Sequence, residues 1–262
     1  MKKIYYLVFI VGSLVFTLNS CKVDNYPEPN SQVYGAMRDS LTGGLVETDP
    51  NTTTGSTIGV YELGVYAANP LKRSWLIKPS GEYRNDLVYA NDYKFEFTSC
   101  NFFPYTILTQ TVNPGENLMD FTVVPYIRIK NLSITMDVPT NKIIATFNLE
   151  PGRNSVRLSK LRLYSWTDMY VGENVKKTLG AAGTGTPLSS GVPQLSFTNL
   201  VINPATLYTL TIDLAANQAT TVNGFGVHRN YYFRVGALAT VSSSISVGTI
   251  RYNYAPYIMI PL

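Results

Sequence analysis

Apolar residues that recur at every second position, in runs of strand length, are the feature that most narrows what this chain can fold into. Tyr93, Phe95 and Phe97 alternate with Lys94 and Glu96, a period of two that buries one face of a strand and leaves the other to water. Leu161 and Leu163 alternate with Arg162 and Tyr164, and Leu210, Ile212 and Leu214 with Thr211 and Asp213. No window of about 11 residues carries a convincing helical period. Between residues 126 and 262, "YIRIKNLSITMDV", "KIIATFNLE", "LSKLRLYSW", "QLSFTNLVI", "TLYTLTIDLA", "NYYFRVGALAT" and "NYAPYIMIPL" read as seven strands, which predicts an antiparallel sandwich.

The first half is punctuated more often. A strand is predicted around Gln32 to Met37, a turn at Asp39 to Gly44 and a second strand near Ile58 to Leu63, with the Thr-rich "ETDPNTTTGST" between them expected as a mobile loop. Pro79-Ser80-Gly81 breaks two further runs, and Asn91-Asp92 marks another turn. "NLMDFTVVPYIRIKN" reads as a longer strand containing Pro125, which implies a bulge, an edge or a crossing between domains. The expected fold is all-β, two β-sandwich domains in tandem at residues 32–125 and 126–262.

Ahead of these lies a basic start, Met1-Lys2-Lys3, and an uncharged run from Ile4 to Leu18, the layout of a secretory signal and too short to span a membrane comfortably. It ends in Leu18-Asn19-Ser20-Cys21, which resembles a bacterial lipobox. That resemblance implies removal of residues 1–20 and lipidation of Cys21, so that the membrane is a partner through the lipid anchor. Each buried methylene contributes about 0.8 kcal/mol, and several acyl chains together anchor durably. "DNYPEPNS" then serves as a tether over residues 21–31.

Without the signal the chain carries 19 basic and 17 acidic residues, a net charge of +2, too near neutral to suggest a nucleic-acid partner. Only Cys100 remains after lipidation, which leaves no disulfide framework and no cysteine metal site; in "FTSCNFFPY" it reads as a buried thiol. His228 is the single histidine, so a histidine metal site is excluded and any hydrolytic triad would have to run through it. It lies in "GFGVHRNYY" and reads as a turn or strand-start residue, and no serine has the G-x-S-x-G setting. "LGAAGTGTPLSSG" lacks the G-K-[ST] ending of a phosphate cradle and is expected as a flexible loop. Asp168 and Glu173 are the carboxylate pair whose surroundings merit inspection for glycoside chemistry, although an ordinary, solvated strand end is the stronger account. The expectation is a protein without enzymatic activity, catalytic residues, metal or cofactor.

Tyrosine is abundant, 19 residues against 11 phenylalanines and two tryptophans, and serves both strands and binding surfaces. Sugar binding needs aromatic faces beside fixed polar groups. Two clusters offer them: Trp166 with Asp168 and Tyr170, and Trp75 with Tyr83 and Arg84. Tryptophan in a sandwich is also a frequent core residue.

Val33, Gly35, Asp39, Thr42 and Gly43, followed by Gly81, Tyr83, Tyr93 and Phe97, resemble the pattern of prealbumin-like, carboxypeptidase-regulatory domains. "LYTLTIDL" and "YYFRVGALA" are similar to immunoglobulin and fibronectin type III strands. The pairing behind a lipobox, joined by "VVPYIRIKN", resembles a family of uncharacterised two-domain Bacteroidetes surface lipoproteins. The resemblance implies an outer-membrane, cell-surface location. It also implies SusC/SusD-type outer-membrane proteins as partners in polysaccharide utilisation, and a glycan as ligand. A structural or adhesive spacer that docks another surface protein is the alternative.

Overall fold

The computed structural model describes residues 27–64, 68–184, 186–218, 224–242 and 248–262; Cys21 and the signal lie outside them. The first half contributes β1 (Ser31–Asp39), β2 (Thr57–Glu62), β3 (Lys72–Leu76), β4 (Glu82–Val88), β5 (Asn91–Phe97), β6 (Tyr105–Val112), β7 (Gly115–Leu118) and β8 (Phe121–Val123). The second contributes β9 (Ile127–Asp137), β10 (Lys142–Pro151), β11 (Arg157–Trp166), β12 (Gln194–Val201), β13 (Tyr208–Asp213), β14 (Asn230–Thr240), β15 (Asn253–Tyr254) and β16 (Ile258–Pro261). A short 3₁₀ segment lies at Ala215–Asn217.

Four sheets result, and every strand pairing stays within one half. One sheet runs β4-β1-β7, with β8 also on β1; the second runs β3-β2-β5-β6. In the other half β13-β10-β9 faces β12-β11-β14-β15, and β16 pairs with β14. The strand alternation explains how the layers close. Val33 and Met37 of β1, Tyr83 of β4 and Tyr93, Phe95 and Phe97 of β5 fill one core. Ile143, Ala145 and Phe147 of β10, Leu161 and Leu163 of β11, and Tyr231, Phe233 and Val235 of β14 fill the other. The molecule is thus all-β and built of sandwiches. Cys100 sits fully buried in the first core, where burial pushes its thiol up to about 12 and keeps it unreactive.

Several local expectations are corrected. Asn91 opens β5 and the turn precedes it, at Tyr89 and Ala90. The strand expected around Pro125 is three strands, β7, β8 and β9, and Pro125 bridges Phe102 at the point where the chain crosses between the halves. "NYAPYIMIPL" is divided into β15 and β16 by residues 255–257. The glycine-rich loop is a hydrogen-bonded hairpin: Leu179 N–H donates to the Gly191 carbonyl (2.8 Å) and Leu188 N–H to that of Leu179 (2.9 Å).

The Thr-rich loop departs furthest from expectation. Instead of moving freely, its Thr48 and Asp49 are fully buried between the two halves. Arg234 of β14 reaches into it, donating from Nη2 to Glu47 Oε2 (2.5 Å) and from Nη1 to the Thr48 carbonyl (3.0 Å), while Nε serves the Ala255 carbonyl (2.9 Å). A buried guanidinium is tolerable only when its N–H groups are matched in this way. Asp49 accepts from Tyr254 Oη (2.8 Å) and from Glu173 N–H (2.5 Å). Arg128 forks onto Asp39 through Nε (2.5 Å) and Nη2 (2.6 Å). Burial alone would raise the Asp39 carboxyl, but the hydrogen bonds and charge of Arg128 outweigh it and hold the group below its ordinary value. Asn253 Nδ2 donates to the Asn101 carbonyl (2.7 Å), and Asn101 Nδ2 to that of Glu47 (2.6 Å). Asp39, Glu47, Arg128 and Tyr254 line a cleft of about 300 Å³ at this joint. Asp39 and Arg128 are paired with each other there and Glu47 with Arg234, which marks these groups as structural.

Candidate binding face

Because β11 and β14 alternate inward and outward, the residues that do not enter the core form an outer face: Arg162, Tyr164 and Trp166 on one strand, Tyr232, Arg234 and Gly236 on the other. The register sets Tyr164 beside Arg234 and Arg162 beside Gly236. A Cβ on Gly236 would stand 2.8 Å from the Tyr164 ring and 3.1 Å from that of Tyr254, so glycine is what lets these rings lie flat on the sheet. The joint covers this middle region, and burial raises the Tyr164 and Tyr254 hydroxyls well above their usual range.

The joint stops short of the sheet's end. There Trp166 lies beside Tyr232, and Met259 of β16 lies on the other side of Tyr232. Three adjacent strands thus present one aromatic and sulfur-bearing row, about 10 Å across. Tyr257 stands edge-on to Tyr232, ring centroids 5.3 Å apart at 68°, and raises a wall beside the row. Tyr257 and Met259 are 40% and 48% exposed. In the loop after β11, Asp168 is exposed and its Oδ1 accepts the Tyr170 N–H (3.0 Å), which fixes the turn that carries the half-exposed Tyr170. A flat apolar floor with a wall and an exposed carboxylate can stack on a sugar's C–H face and accept from its hydroxyls.

Trp166 is not free on every side. Lys177 is buried with its Nζ 5.8 Å from the Trp166 ring, 5.5 Å from Phe225 and 5.3 Å from Tyr231, an arrangement of cation–π contacts that braces the indole. Burial, reinforced by the nearby charge of Arg229, lowers the Lys177 ammonium.

The other predicted cluster does not assemble. Trp75 packs against Tyr83 (6.4 Å) and Phe95 (5.8 Å) within the first sandwich, and Tyr83 is buried with its hydroxyl donating to the Met119 carbonyl (2.7 Å). Arg84, next along β4, points the other way, reaching Asp86, Gln32 and the ring of Tyr34. Nor does Glu173 partner Asp168 in acid–base work. Burial would raise its carboxyl, but Arg162 (2.5 Å), Lys176 (2.8 Å) and Tyr164 Oη (2.7 Å) hold it below the ordinary value as a structural anion. His228 is exposed in the segment leading into β14. Among the described residues no group of three or more His, Cys, Asp or Glu could hold a metal ion.

Sequence reasoning missed Tyr232, Tyr257 and Met259. Tyr231 and Tyr232 are adjacent and point to opposite faces, which alternation allows for, but only the β11–β14–β16 register shows that the outward ring meets Trp166.

No protein-family model and no curated protein matches the chain. Among solved structures it is similar to a candidate carbohydrate-binding protein of Bacteroides uniformis, at 39% identity and a TM-score of 0.76 over 89% of this chain and all of the other. DUF3823 family proteins of Bacteroides ovatus (20% identity, TM-score 0.63, 88% of this chain and 99% of that one) and of Parabacteroides merdae (16%, 0.59, 89% and 100%) share its fold. With full coverage of a relative 39% identical to it, this chain belongs to the same family as the Bacteroides uniformis protein.

Proposed function

We propose that this chain is a non-catalytic, lipid-anchored outer-membrane protein that captures or presents glycans at the cell surface, working beside a SusC/SusD-type uptake complex. The row Trp166–Tyr232–Met259, walled by Tyr257 at the open end of an otherwise covered sheet face, carries the reading. The description of the Bacteroides uniformis relative as a candidate carbohydrate-binding protein supports it. Arg234, Arg128 and Asn253 join the two halves, which would hold such a platform at a fixed place relative to the first sandwich.

The test is affinity electrophoresis of residues 22–262 through gels carrying plant, host and microbial polysaccharides. Retardation by at least one, lost in Trp166→Ala and kept in Arg84→Ala, is the expected result. Absence of retardation across the panel would move the reading to a protein-docking spacer. Leu71 and Leu87, 79% and 77% exposed beside the β3 and β4 edges, favour that second reading.

A further inference from the structure

The outermost strand of a sheet has a partner on one side only, and its open side pairs with any extended chain that reaches it unless something guards it. Most edges of this molecule are guarded. β3 carries Lys72 and Arg73, and β4 carries Glu82, Arg84 and Asp86. β9 carries Arg128 and Lys130 and turns at Asn131, where φ is 51°. The ladders of β6 and β12 are interrupted by shifts of register, and β7, β8, β15 and β16 are short. β13 has none of these devices. Tyr208 to Ile212 holds no charge and no proline, and its pairing with β10 runs unbroken from Tyr208 opposite Phe147 to Asp213 opposite Lys142.

The register tells which backbone groups this edge leaves over. Leu214 N–H donates to the Asn141 carbonyl (3.1 Å), so by the alternation of the ladder Ile212, Leu210 and Tyr208 also turn their N–H and C=O groups toward β10. Those of Thr209, Thr211 and Asp213 point away from the sheet, where no strand among the described residues pairs with them. The Asp213 carbonyl is taken by Asn217 Nδ2 (2.8 Å), which closes that end. Along the remaining donors and acceptors runs a groove of about 430 Å³, with β13 as one bank and Leu179, Ala182, Leu188 and Leu195 on the other. Gly180 N–H donates to Asn217 Oδ1 (2.8 Å), which fixes the hairpin that forms the far bank.

Two chemistries therefore meet in the groove. The edge asks for C=O and N–H groups at strand spacing, which an extended polypeptide supplies, and the leucine bank asks for apolar side chains at every second position. Because the hairpin and β12 stand across the groove, a second sandwich could not lay its own edge strand there without displacing them, whereas a single strand enters. We infer that the β13 edge is a docking site for an extended segment of another protein, which joins β13-β10-β9 as a fourth strand. Its polar side chains lie beside Thr209 and Thr211, and its apolar ones face Leu188 and Leu195. β13 belongs to the sheet opposite the one that bears Trp166 and Tyr232, so this site stands or falls independently of glycan binding.

The test is fluorescence polarisation of residues 22–262 with a labelled peptide, Lys-Thr-Val-Thr-Val-Thr-Val-Thr-Lys, as the probe. The probe should bind, and methylating one alternate set of its N–H groups should weaken binding about tenfold more than methylating the other set. Thr211→Pro removes one outward N–H and spares the β10 ladder, as edge strands allow, and should weaken binding about tenfold; Thr211→Val should leave it as it was. Leu195→Asp, at a position 37% exposed, puts a charge on the far bank and should weaken binding without unfolding the protein. Amide exchange should slow at Thr209 and Thr211 when the probe is added. Failure of the probe to bind overturns the inference, as does binding undiminished in both Thr211→Pro and Leu195→Asp, or slowed exchange confined to other strands. A concentration-dependent dimer in sedimentation, with Thr209 and Thr211 protected before any probe is added, overturns the assignment to another protein in favour of a second copy of this chain.

Discussion

The two tryptophans sit in similar sequence settings, Arg73-Ser74-Trp75-Leu76 and Tyr164-Ser165-Trp166-Thr167, yet the fold gives them opposite duties. Trp75 stands on an edge strand and turns inward onto Tyr83 and Phe95. Trp166 stands on an inner strand and turns outward beside Tyr232. An edge strand would suggest exposure and an inner strand burial, yet both rings are half-buried, Trp75 against the core of the first sandwich and Trp166 against a smaller cluster on the outer face. What decides is the parity of each residue along its strand, together with what lies over that face. The same lesson holds within β14, where Arg234 is covered by the joint and Tyr232, two residues before it on the same face, lies beyond its reach.

Breaking this contrast should produce effects of graded size. Arg234→Ala leaves Glu47 without its partner at a buried interface and should destabilise the protein by about 3–5 kcal/mol, measured by chemical denaturation. Trp75→Ala opens a cavity in the first sandwich and should cost about 3 kcal/mol, lowering Tm by roughly 6–12 °C. Acid comes next. Asp39 and Glu173 have carboxyls held below their ordinary values of 3.8 and 4.5. Their contribution is therefore complete above those values and is lost as pH falls through the lower folded-state ones. Thermal melts should be flat from pH 7 to about pH 5 and decline below, and Asp39→Asn should blunt the decline. Smallest in stability is Trp166→Ala, expected to cost about 1–2 kcal/mol because the half-buried ring packs on the outer cluster and on Lys177 but closes no sandwich core, although it should remove glycan retardation. A Trp166→Ala protein that unfolds as readily as Trp75→Ala would erase the distinction.

Much of the fold was legible because alternation at period two survives in each long strand: Tyr93, Phe95 and Phe97 point inward as read, as do Leu161 and Leu163. β6 escaped because from Leu108 to Thr111 its residues face water on both sides, so the period fades before the buried Val112. The Thr-rich loop misled because polar composition usually signals solvent. Here its burial is supported by groups distant in sequence, with Asp49 and Tyr254 separated by 205 residues. The candidate face was half legible. Trp166, Asp168 and Tyr170 lie in one short stretch, whereas Tyr232, Tyr257 and Met259 join them only through strand register, which no local pattern encodes.

The joint also bears on how the chain matures. Glu47, Asp49 and Asn101 emerge from the ribosome long before Arg234, Asn253 and Tyr254, the groups that satisfy them. Until then their polar atoms must stay hydrated, and the first sandwich keeps one flank unfinished. Completion waits on a partner 205 residues further along the chain, so a polypeptide cut short before β15 would keep that acidic flank wet and unfinished.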